Sequence, residues 1–283
     1  MKILLTGADG FTGRHFAKHA GDAGHQIVPL RADLTDEATL RREVLDAQPD
    51  AVVHLAAIAF VGHSNLEAFY TVNVVGTTNL LEALALLPTP PHRVLLASSA
   101  NIYGNSEQSP LSEAHPPAPA NHYATSKLAM EYMAKTYADR LNLVIIRPFN
   151  YTGRGQDVNF VIPKIAKHFA EKAPVISLGN LDVEREFNDI DLMCDAYLCI
   201  MHHGVAGETY NVCSGHTYTL REVIAAFEEL TGHRMAIEVN PAFVRKNEVH
   251  RLCGNPSKLN ALLHACGMTL PTPKLRDILA RML

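Results

Sequence analysis

The sequence predicts an α/β fold built on a doubly wound parallel sheet, with a smaller lobe towards the C-terminus. Short, continuous runs of Val, Ile and Leu alternate with segments of helical periodicity through the first half of the chain. Strands of that composition are covered on both faces, and strand–helix alternation of this kind produces a parallel sheet. A chain of 283 residues with 47% hydrophobic residues can also bury one large core.

The first half supplies most of the predicted sheet. Apolar runs predict strands over 2–6, 26–30, 51–55, 93–98 and 143–147. Helical spacing predicts helices over 11–23, 36–47, 66–87 and 122–141. The Pro-rich stretch 113–119 is too short for a domain linker, so we expect a loop there.

The second half is less regular, and its elements are expected to interleave with the sheet. Its patterns predict helices over 159–172, 189–201 and 220–230 and a strand over 209–212. We therefore assign residues 1–153 and 186–215 to the sheet domain. The smaller lobe is assigned residues 154–185 and 216–283.

Composition argues against several classes of protein. The net charge of −4 and a pI of about 6.4 give no overall field that would attract nucleic acid or an anionic membrane. No apolar run approaches the ~18 residues that span a bilayer. The sequence opens in a strand with no signal-peptide pattern. We therefore expect a cytoplasmic protein with neither a nucleic-acid partner nor a membrane partner.

Residues that commonly bind metals are scattered along the chain. The five cysteines form an odd set with no Cys-x-x-Cys pair, and the 15 histidines are dispersed. His202 and His203 are adjacent, so on a helix their side chains point in different directions. We expect reduced thiols and no metal site.

A glycine-rich turn follows the first predicted strand and opens the first predicted helix. Residues 6–13 read Thr-Gly-Ala-Asp-Gly-Phe-Thr-Gly. Gly7 permits a tight turn, Gly10 lets backbone amides approach a pyrophosphate, and Gly13 lets helix and strand pack closely. The amides of Phe11 and Thr12 open the helix, whose N-terminus favours negative charge. The spacing Gly-x-x-Gly-x-x-Gly, in this context, predicts a dinucleotide site.

The end of the second predicted strand bears on the choice of dinucleotide. It reads Pro-Leu-Arg, with no acidic residue to hold an adenosine 2′-hydroxyl. Arg31, with Arg14 as a second cation, could instead pair with a 2′-phosphate. Asp33 and Leu34 are expected near the adenine. NADP(H) is therefore favoured and NAD(H) stays open, since Arg31 could equally be a solvated turn residue.

Tyr123 and Lys127 stand at i and i+4 of a predicted helix, on one face. A phenol normally ionises near pH ~10, and a neighbouring ammonium should move its pKa towards neutrality. Ser99 lies at the C-terminal end of a predicted strand, the edge where open α/β sheets bind ligands. A chance surface Tyr–Lys pair is the simpler alternative, but the serine at that edge favours an acid–base site.

This combination resembles the extended short-chain dehydrogenase/reductase family along essentially the whole chain. The segments 54–57 (His-Leu-Ala-Ala) and 73–77 (Asn-Val-Val-Gly-Thr) match two further motifs of that family. The resemblance implies a Rossmann-type domain in which Ser99 is the catalytic hydroxyl, Tyr123 the proton donor and Lys127 also a ribose contact. It further implies cofactor contacts at Leu55, Ala56, Ala57, Asn73, Ser98, Tyr123 and Pro148, with Asn73 as a structural support.

A second set of segments is similar to the GDP-4-keto-6-deoxy-D-mannose reductases. Residues 147–156 read Arg-Pro-Phe-Asn-Tyr-Thr-Gly-Arg-Gly-Gln, with Tyr151 and Arg154 where those enzymes usually have His and Pro. The substitutions suggest an altered substrate pocket. The resemblance implies a nucleotide-sugar substrate whose diphosphate is neutralised by two arginines, although 245–251 could be a solvated basic face. The implied substrate contacts, besides Ser99 and Tyr123, are Asn150, Asn159, Arg185, Arg245 and Glu248.

The triplet Ser99-Ala100-Asn101 distinguishes among the reactions of this family. Nucleotide-sugar 4,6-dehydratases carry an acidic residue in this triplet, and neither Ala nor a neutral amide can act as that base. We expect reduction of a 4-keto-6-deoxy sugar, giving GDP-D-rhamnose or its C4 epimer. An NAD-dependent 4-epimerase is the alternative, since it uses the same Ser, Tyr and Lys. A non-catalytic member would be expected to lack Tyr123 or Lys127.

The family resemblance also implies a homodimer joined through a four-helix bundle of helices 66–87 and 122–141. Helix 122–141 carries apolar residues on more than one face, for which core packing is the simpler explanation. These residues are Ala124, Leu128, Ala129, Met130 and Met133.

Overall fold

The computed structural model describes residues 1–62, 64–244 and 249–283. Its strands are β1 (Lys2–Thr6), β2 (Gln26–Pro29), β3 (Ala51–His54), β4 (Arg93–Ala97), β5 (Leu143–Pro148), β6 (Tyr151–Thr152), β7 (Val175–Leu178), β8 (Glu184–Arg185), β9 (Asn188–Asp189), β10 (Thr209–Val212), β11 (Tyr218–Thr219), β12 (Ala236–Val239) and β13 (Arg251–Leu252). Its α-helices are α1 (Phe11–Asp22), α2 (Glu37–Ala47), α3 (Leu66–Tyr70), α4 (Thr77–Ala85), α5 (His122–Lys135), α6 (Val161–Ala170), α7 (Ile190–His203), α8 (Leu220–Thr231), α9 (Ser257–Ala265) and α10 (Leu275–Ala280).

Six strands form one parallel sheet in the order β10–β5–β4–β3–β1–β2. The central strands β3 and β4 are buried along almost their whole length, as the continuous apolar runs require. Side chains of α1 and α7 join the core on one face, and those of α2, α4 and α5 join it on the other. The doubly wound parallel sheet is confirmed.

The predicted helix 66–87 is interrupted in the structure. It consists of α3, a π-helical turn (Thr71–Gly76) and α4. The turn places Asn73 inward, where its side chain bonds to Ile58 and Ser126. These tertiary bonds explain a widened turn, a feature frequent at functional sites.

The predicted helix 122–141 is shorter than expected. It ends at Lys135, and residues 136–140 continue as turns. The amides of Thr136 and Tyr137 bond to carbonyls three residues back, which tightens the chain out of the α-helix.

The smaller lobe has its own core, centred on stacked Phe169 of α6 and Phe227 of α8. Strands β7 and β12 pair in parallel beside it, and α10 packs on α8. Helix α9 packs on α7 and β10 instead, so Leu259 and Leu263 join the sheet's core. The predicted boundary had assigned those two residues to the smaller lobe.

Two predicted absences can be compared with the described residues. Among them, no helix combines the length and apolarity needed to cross a bilayer. They also contain no group of three or more side chains arranged to hold a metal ion. All five cysteines are free thiols.

Candidate active site

The glycine turn brings the chain close to itself at the start of α1. Gly7 has a φ of +69°, and a Cβ there would lie 2.8 Å from the amide nitrogen of Ala56. A Cβ on Gly13 would lie 2.0 Å from the carbonyl oxygen of Gly7. Gly10 is the N-cap of α1 and offers no side chain to the helix amides. This cradle, with uncapped amides at a helix N-terminus, fits a pyrophosphate.

Gly10→Ala should weaken dinucleotide binding without unfolding the turn. Gly10 has a φ of −72°, which Ala tolerates, and the added Cβ would meet only the Gly7 carbonyl, at 3.2 Å. The methyl group would stand where the phosphates approach, so we expect the Kd for NADPH to rise about tenfold, or ~1.4 kcal/mol. Titration of NADPH fluorescence measures the Kd.

Gly21→Ala is the matched control for this substitution. Gly21 lies in the same helix, and a Cβ there has open space around it. We expect unchanged binding and slightly greater stability, because Ala favours helix over Gly. An unchanged Kd in Gly10→Ala would mean that the phosphates do not approach this turn.

The three predicted catalytic side chains converge at the carboxyl edge of the sheet. Ser99 follows β4, and Tyr123 lies in the first turn of α5, which begins where the Asn121 side chain caps the amide of Ala124. The Ser99 hydroxyl lies close enough to Tyr123 to lower the pKa of the phenol. Lys127 Nζ donates to the carbonyl of Ala97, 2.7 Å away, at the end of β4.

These three residues are buried, with exposures of 4% for Ser99, 8% for Tyr123 and 3% for Lys127. Burial raises the pKa of the Tyr123 phenol above its usual value, and Ser99 opposes that shift. The sequence-based expectation of a lowered phenol pKa is therefore wrong for this structure. Its physical reason is that the loss of hydration of the phenolate outweighs the attraction expected from the ammonium.

Lys127 still supplies positive charge at neutral pH. Burial lowers the pKa of its ammonium to about 8, and Glu131 one turn away acts in the opposite direction. A pKa near 8 leaves most of the side chain protonated at pH 7. Above that value the site loses its cation.

Three of the residues expected at the adenosine end bond to other residues of the chain. Arg31 pairs with the carboxylate of Asp9, at 2.6 Å, on an exposed surface. Arg14 donates to the carbonyl of the same Asp9, at 2.5 Å. Asp33 accepts from Thr35. Both arginines thus meet at the glycine turn.

The remaining predicted cofactor residues surround that turn and the carboxyl edge. The amides of Leu55 and Ala56 donate to Thr6 Oγ1 at the end of β1. Leu34 is buried against Gly76. Ser98 is buried at the end of β4, and Pro148 ends β5. Their roles, and those of Phe11, Thr12 and Ala57, stay predictions.

The predicted substrate contacts are less concentrated. The Asn150 carbonyl accepts from Asn188, at 3.0 and 3.1 Å, and Asn159 is exposed. The Arg185 guanidinium donates to the backbone carbonyls of Glu184 and Val249. Arg245 and Glu248 lie outside the described residues. A diphosphate role for these residues therefore stays a prediction.

Tyr151 lies against the glycine turn. Its hydroxyl is 2.7 Å from Thr12 Oγ1, and its ring stacks on Phe11 at 6.2 Å. Burial raises the pKa of this phenol to about 12, although the bond with Thr12 opposes the shift. The departure from His at this position therefore alters the wall beside the turn, and the change that the sequence suggests in the substrate pocket stays a prediction.

Sequence reasoning missed Glu186, which is completely buried. Its carboxylate accepts from the amides of Gly254 and Ser214 and from the side chain of Asn188. Burial raises the pKa of this carboxyl, and those donors oppose the shift. The available signal was an acidic residue between Arg185 and Phe187 in an otherwise buried segment. Glu186, directly after β8, thus holds by hydrogen bonds the segment after β10 and the segment before α9.

The parallel sheet, the glycine turn and the buried Ser–Tyr–Lys group together define an oxidoreductase of the extended short-chain dehydrogenase/reductase class. Comparison with protein-family models narrows this class. The chain belongs to the family described as GDP-mannose 4,6 dehydratase, whose model matches residues 19–264.

Individual relatives are similar over nearly the whole chain. It is 36% identical to GDP-6-deoxy-D-talose 4-dehydrogenase from Aggregatibacter actinomycetemcomitans, covering 100% of this chain and 97% of that one. It is 33% identical to GDP-6-deoxy-D-mannose reductase from Pseudomonas aeruginosa, covering 92% and 90%. The solved structure of RMD from Pseudomonas aeruginosa with NADPH superposes with a TM-score of 0.89, at 30% identity, covering 99% and 96%.

The dehydratase activity in the family's description does not fit the side chains of this site. Asn101 stands beside Ser99, and its backbone and side-chain amides both donate to Ser99 Oγ, at 3.2 and 3.1 Å. Ala100 offers no polar group. A neutral amide therefore occupies the place where dehydration requires an acid.

Proposed function

We propose that this protein reduces the C4 ketone of a nucleotide-linked 4-keto-6-deoxy sugar with NAD(P)H. The favoured substrate is GDP-4-keto-6-deoxy-D-mannose, and the product is GDP-D-rhamnose or its C4 epimer. The observation that carries the proposal is the burial of Ser99 and Tyr123 together, where Ser99 lowers the pKa of the phenol, with Lys127 one turn away and an amide in place of an acid. The names of the two relatives support the same chemistry.

The residues present fit the demands of this reaction. When bound, the nicotinamide supplies the hydride to the sugar C4. Tyr123 donates its phenolic proton to the oxygen at C4, which turns the ketone into an alcohol. The raised pKa of the phenol keeps that proton in place at neutral pH. Ser99 donates a hydrogen bond to the same oxygen, and the Lys127 charge stabilises the phenolate that is left.

The two arginines at the glycine turn favour NADP(H), with NAD(H) as the alternative. Arg31 and Arg14 both contact Asp9, on the side where the adenosine ribose would lie. A 2′-phosphate could replace the Asp9 carboxylate as the partner of Arg31, because guanidinium binds phosphate with two parallel hydrogen bonds.

Arg31→Ala should reduce the preference for NADPH. We expect kcat/KM with NADPH to fall about tenfold, because one charge-assisted contact is lost, while kcat/KM with NADH is unchanged. Initial rates with each cofactor measure the ratio. Arg41→Ala, which removes an exposed arginine paired with Glu37 on α2, is the control. An equal fall in kcat/KM with both cofactors would show that Arg31 does not recognise the 2′-phosphate.

The deciding experiment is an NADPH-oxidation assay with the 4-keto product of GDP-mannose dehydration, followed by NMR of the sugar. Consumption of NADPH in proportion to product supports the reductase. Conversion of a nucleotide sugar without added cofactor, by enzyme that retains NAD, would establish the 4-epimerase alternative, because both reactions use the same three side chains. NMR also identifies the face of C4 that receives hydride.

We further propose a cytoplasmic homodimer in which α3, α4 and α5 meet those of a second copy. Val75, in the π-helical turn between α3 and α4, and Tyr132, on α5, are exposed by 51% and 60%. Leu128, Ala129 and Met133 are half-buried, and Ala124 and Met130 are in the core. The five free thiols suit a reducing compartment. Light scattering of the purified protein, which would give twice the 31.0 kDa chain mass for a dimer, tests the assembly.

A further inference from the structure

His54, at the end of β3, is enclosed between the end of β1, which leads into the glycine turn, and the start of α4. It is 2% exposed, and each ring nitrogen faces one threonine hydroxyl. Nδ1 lies 2.7 Å from Thr6 Oγ1, and Nε2 lies 2.8 Å from Thr77 Oγ1. Both threonines are 1% exposed, so water does not supply alternative partners.

The surrounding bonds assign the direction of each contact. Thr77 Oγ1 donates to the carbonyl of Asn73, at 2.8 Å, and so must accept from His54 Nε2–H. Nδ1 then carries no proton and accepts from the Thr6 hydroxyl. That hydroxyl already accepts from the amides of Leu55 and Ala56, at 3.1 and 3.0 Å, which leaves its proton for His54.

The imidazole is neutral in this position. Burial lowers the pKa of His54 to about 3, and the charge of Lys127 acts in the same direction. A neutral ring with one donor and one acceptor is the form that both threonines require. A protonated ring would place a second hydrogen against Thr6, whose hydroxyl needs an acceptor.

The bonds continue from Thr77 to the catalytic tyrosine. Asn73 Nδ2 donates to Ser126 Oγ, at 3.0 Å, and Ser126 Oγ donates to the carbonyl of Tyr123, at 2.8 Å. The opposite end of the chain of bonds, at Thr6, adjoins Gly7 of the glycine turn. One imidazole therefore stands between the segment expected to hold the pyrophosphate and the helix that carries the proton donor.

We propose that His54 is a positioning residue that joins the dinucleotide turn to the catalytic helix, with one ring nitrogen serving each side. The Nδ1 side, through Thr6, holds the strand end that leads into Gly7 and ties it to the 55–56 backbone. The Nε2 side, through Thr77 and Asn73, holds the backbone of Tyr123. This inference rests on the proposed function for its catalytic half, whereas its cofactor half requires only dinucleotide binding.

Two conservative variants separate the two sides. His54→Asn places an amide oxygen near Nδ1, which preserves the bond with Thr6 and loses Thr77. His54→Gln places an amide nitrogen near Nε2, which preserves the bond with Thr77 and loses Thr6. His54→Leu loses both. His233→Gln is the matched control, because this histidine bonds to a carbonyl of the smaller lobe, at 2.8 Å, far from these elements in the chain.

The variants should differ in opposite directions. His54→Gln should raise the Kd for NADPH about tenfold and change kcat little. His54→Asn should lower kcat about tenfold and leave the Kd within about twofold of the wild-type value. Amide hydrogen exchange should rise in residues 6–13 for His54→Gln and in 121–127 for His54→Asn. His54→Leu should show both effects, and His233→Gln neither.

The exchange and Kd measurements need no sugar substrate, so they decide the inference even if the proposed reaction is wrong. The proposal would be overturned if His54→Gln and His54→Asn changed the Kd and the amide exchange equally, in proportion to a loss of thermal stability. His54 would then act only through packing. Unchanged values in both variants would also overturn the proposal. Wild-type protein that binds NADPH but reduces no 4-keto sugar would instead refute the proposed function alone.

Discussion

Tyr123→Phe is expected to lower kcat for ketone reduction about a thousandfold, within the range of a single general acid. The change removes only the phenolic oxygen, so the buried ring keeps its tilted contact with Phe69, at 6.2 Å. The proton that the C4 oxygen needs is then missing. The Kd for NADPH should change little, because the hydroxyl acts on the sugar oxygen.

Tyr132→Phe is the matched control. Tyr132 lies on the same helix but is 60% exposed, whereas Ser99 is 4% exposed. Its kcat should equal that of the wild type. Single-turnover NADPH oxidation under saturating substrate measures both variants. If the rate of Tyr123→Phe stayed within a few fold of the wild type, a group other than Tyr123 would have to donate the proton to the C4 oxygen.

Glu131→Ala is expected to lower the free energy of unfolding by about 3–5 kcal/mol. The Glu131 carboxylate binds Arg147 through two bonds, of 3.0 and 2.7 Å, and the side chains are 2% and 8% exposed. Burial lowers the pKa of Arg147, but the carboxylate outweighs burial and raises it. Without Glu131, a buried guanidinium would keep, among the described residues, hydrogen bonds to only Tyr103 and a backbone carbonyl.

Urea unfolding followed by circular dichroism measures this loss. Asp182→Ala is the comparison, because it also breaks a carboxylate–arginine pair, with Arg221, but both side chains are more than 60% exposed. That variant should unfold close to the wild type, since exposed pairs contribute little. Similar behaviour of the two variants would mean that the buried pair contributes no more than a surface pair.

The main sheet could be predicted because its signal is local. Each of its six strands coincides with a predicted run to within two residues, since Val, Ile and Leu sequences specify buried strands on their own. Strands β7 and β12 were missed because they pair with each other across about 60 residues of sequence and are partly exposed. The π-helical turn was missed because bonds from Asn73 to distant residues create it.

The sequence predicts which residues form the site, but it does not predict how burial shifts their pKa values. The order of Ser99, Tyr123 and Lys127 along the chain indicates that they meet, because the carboxyl ends of parallel strands share one edge. Sequence spacing carries no measure of depth, so the effect of burial on the phenol pKa was missed. Likewise, the Arg185 guanidinium bonds to the carbonyl of Val249, which is distant in sequence, and no local pattern reveals that contact.

The two bonds from Asn101 to Ser99 determine which way protons can travel at the sheet edge. With its two lone pairs engaged by the Asn101 amides, the serine oxygen can accept no third hydrogen, and its remaining capacity is to donate. Before a sugar binds, the serine's own hydrogen can therefore turn towards Tyr123, where it lowers the pKa of the phenol, and the phenol's own hydrogen stays free. When the ketone arrives, both hydrogens can turn to its oxygen. The amide at position 101 thus keeps Ser99 a hydrogen-bond donor and leaves Tyr123 with a free phenolic hydrogen before any sugar arrives. An ionised acid at the same place would instead accept the serine's hydrogen.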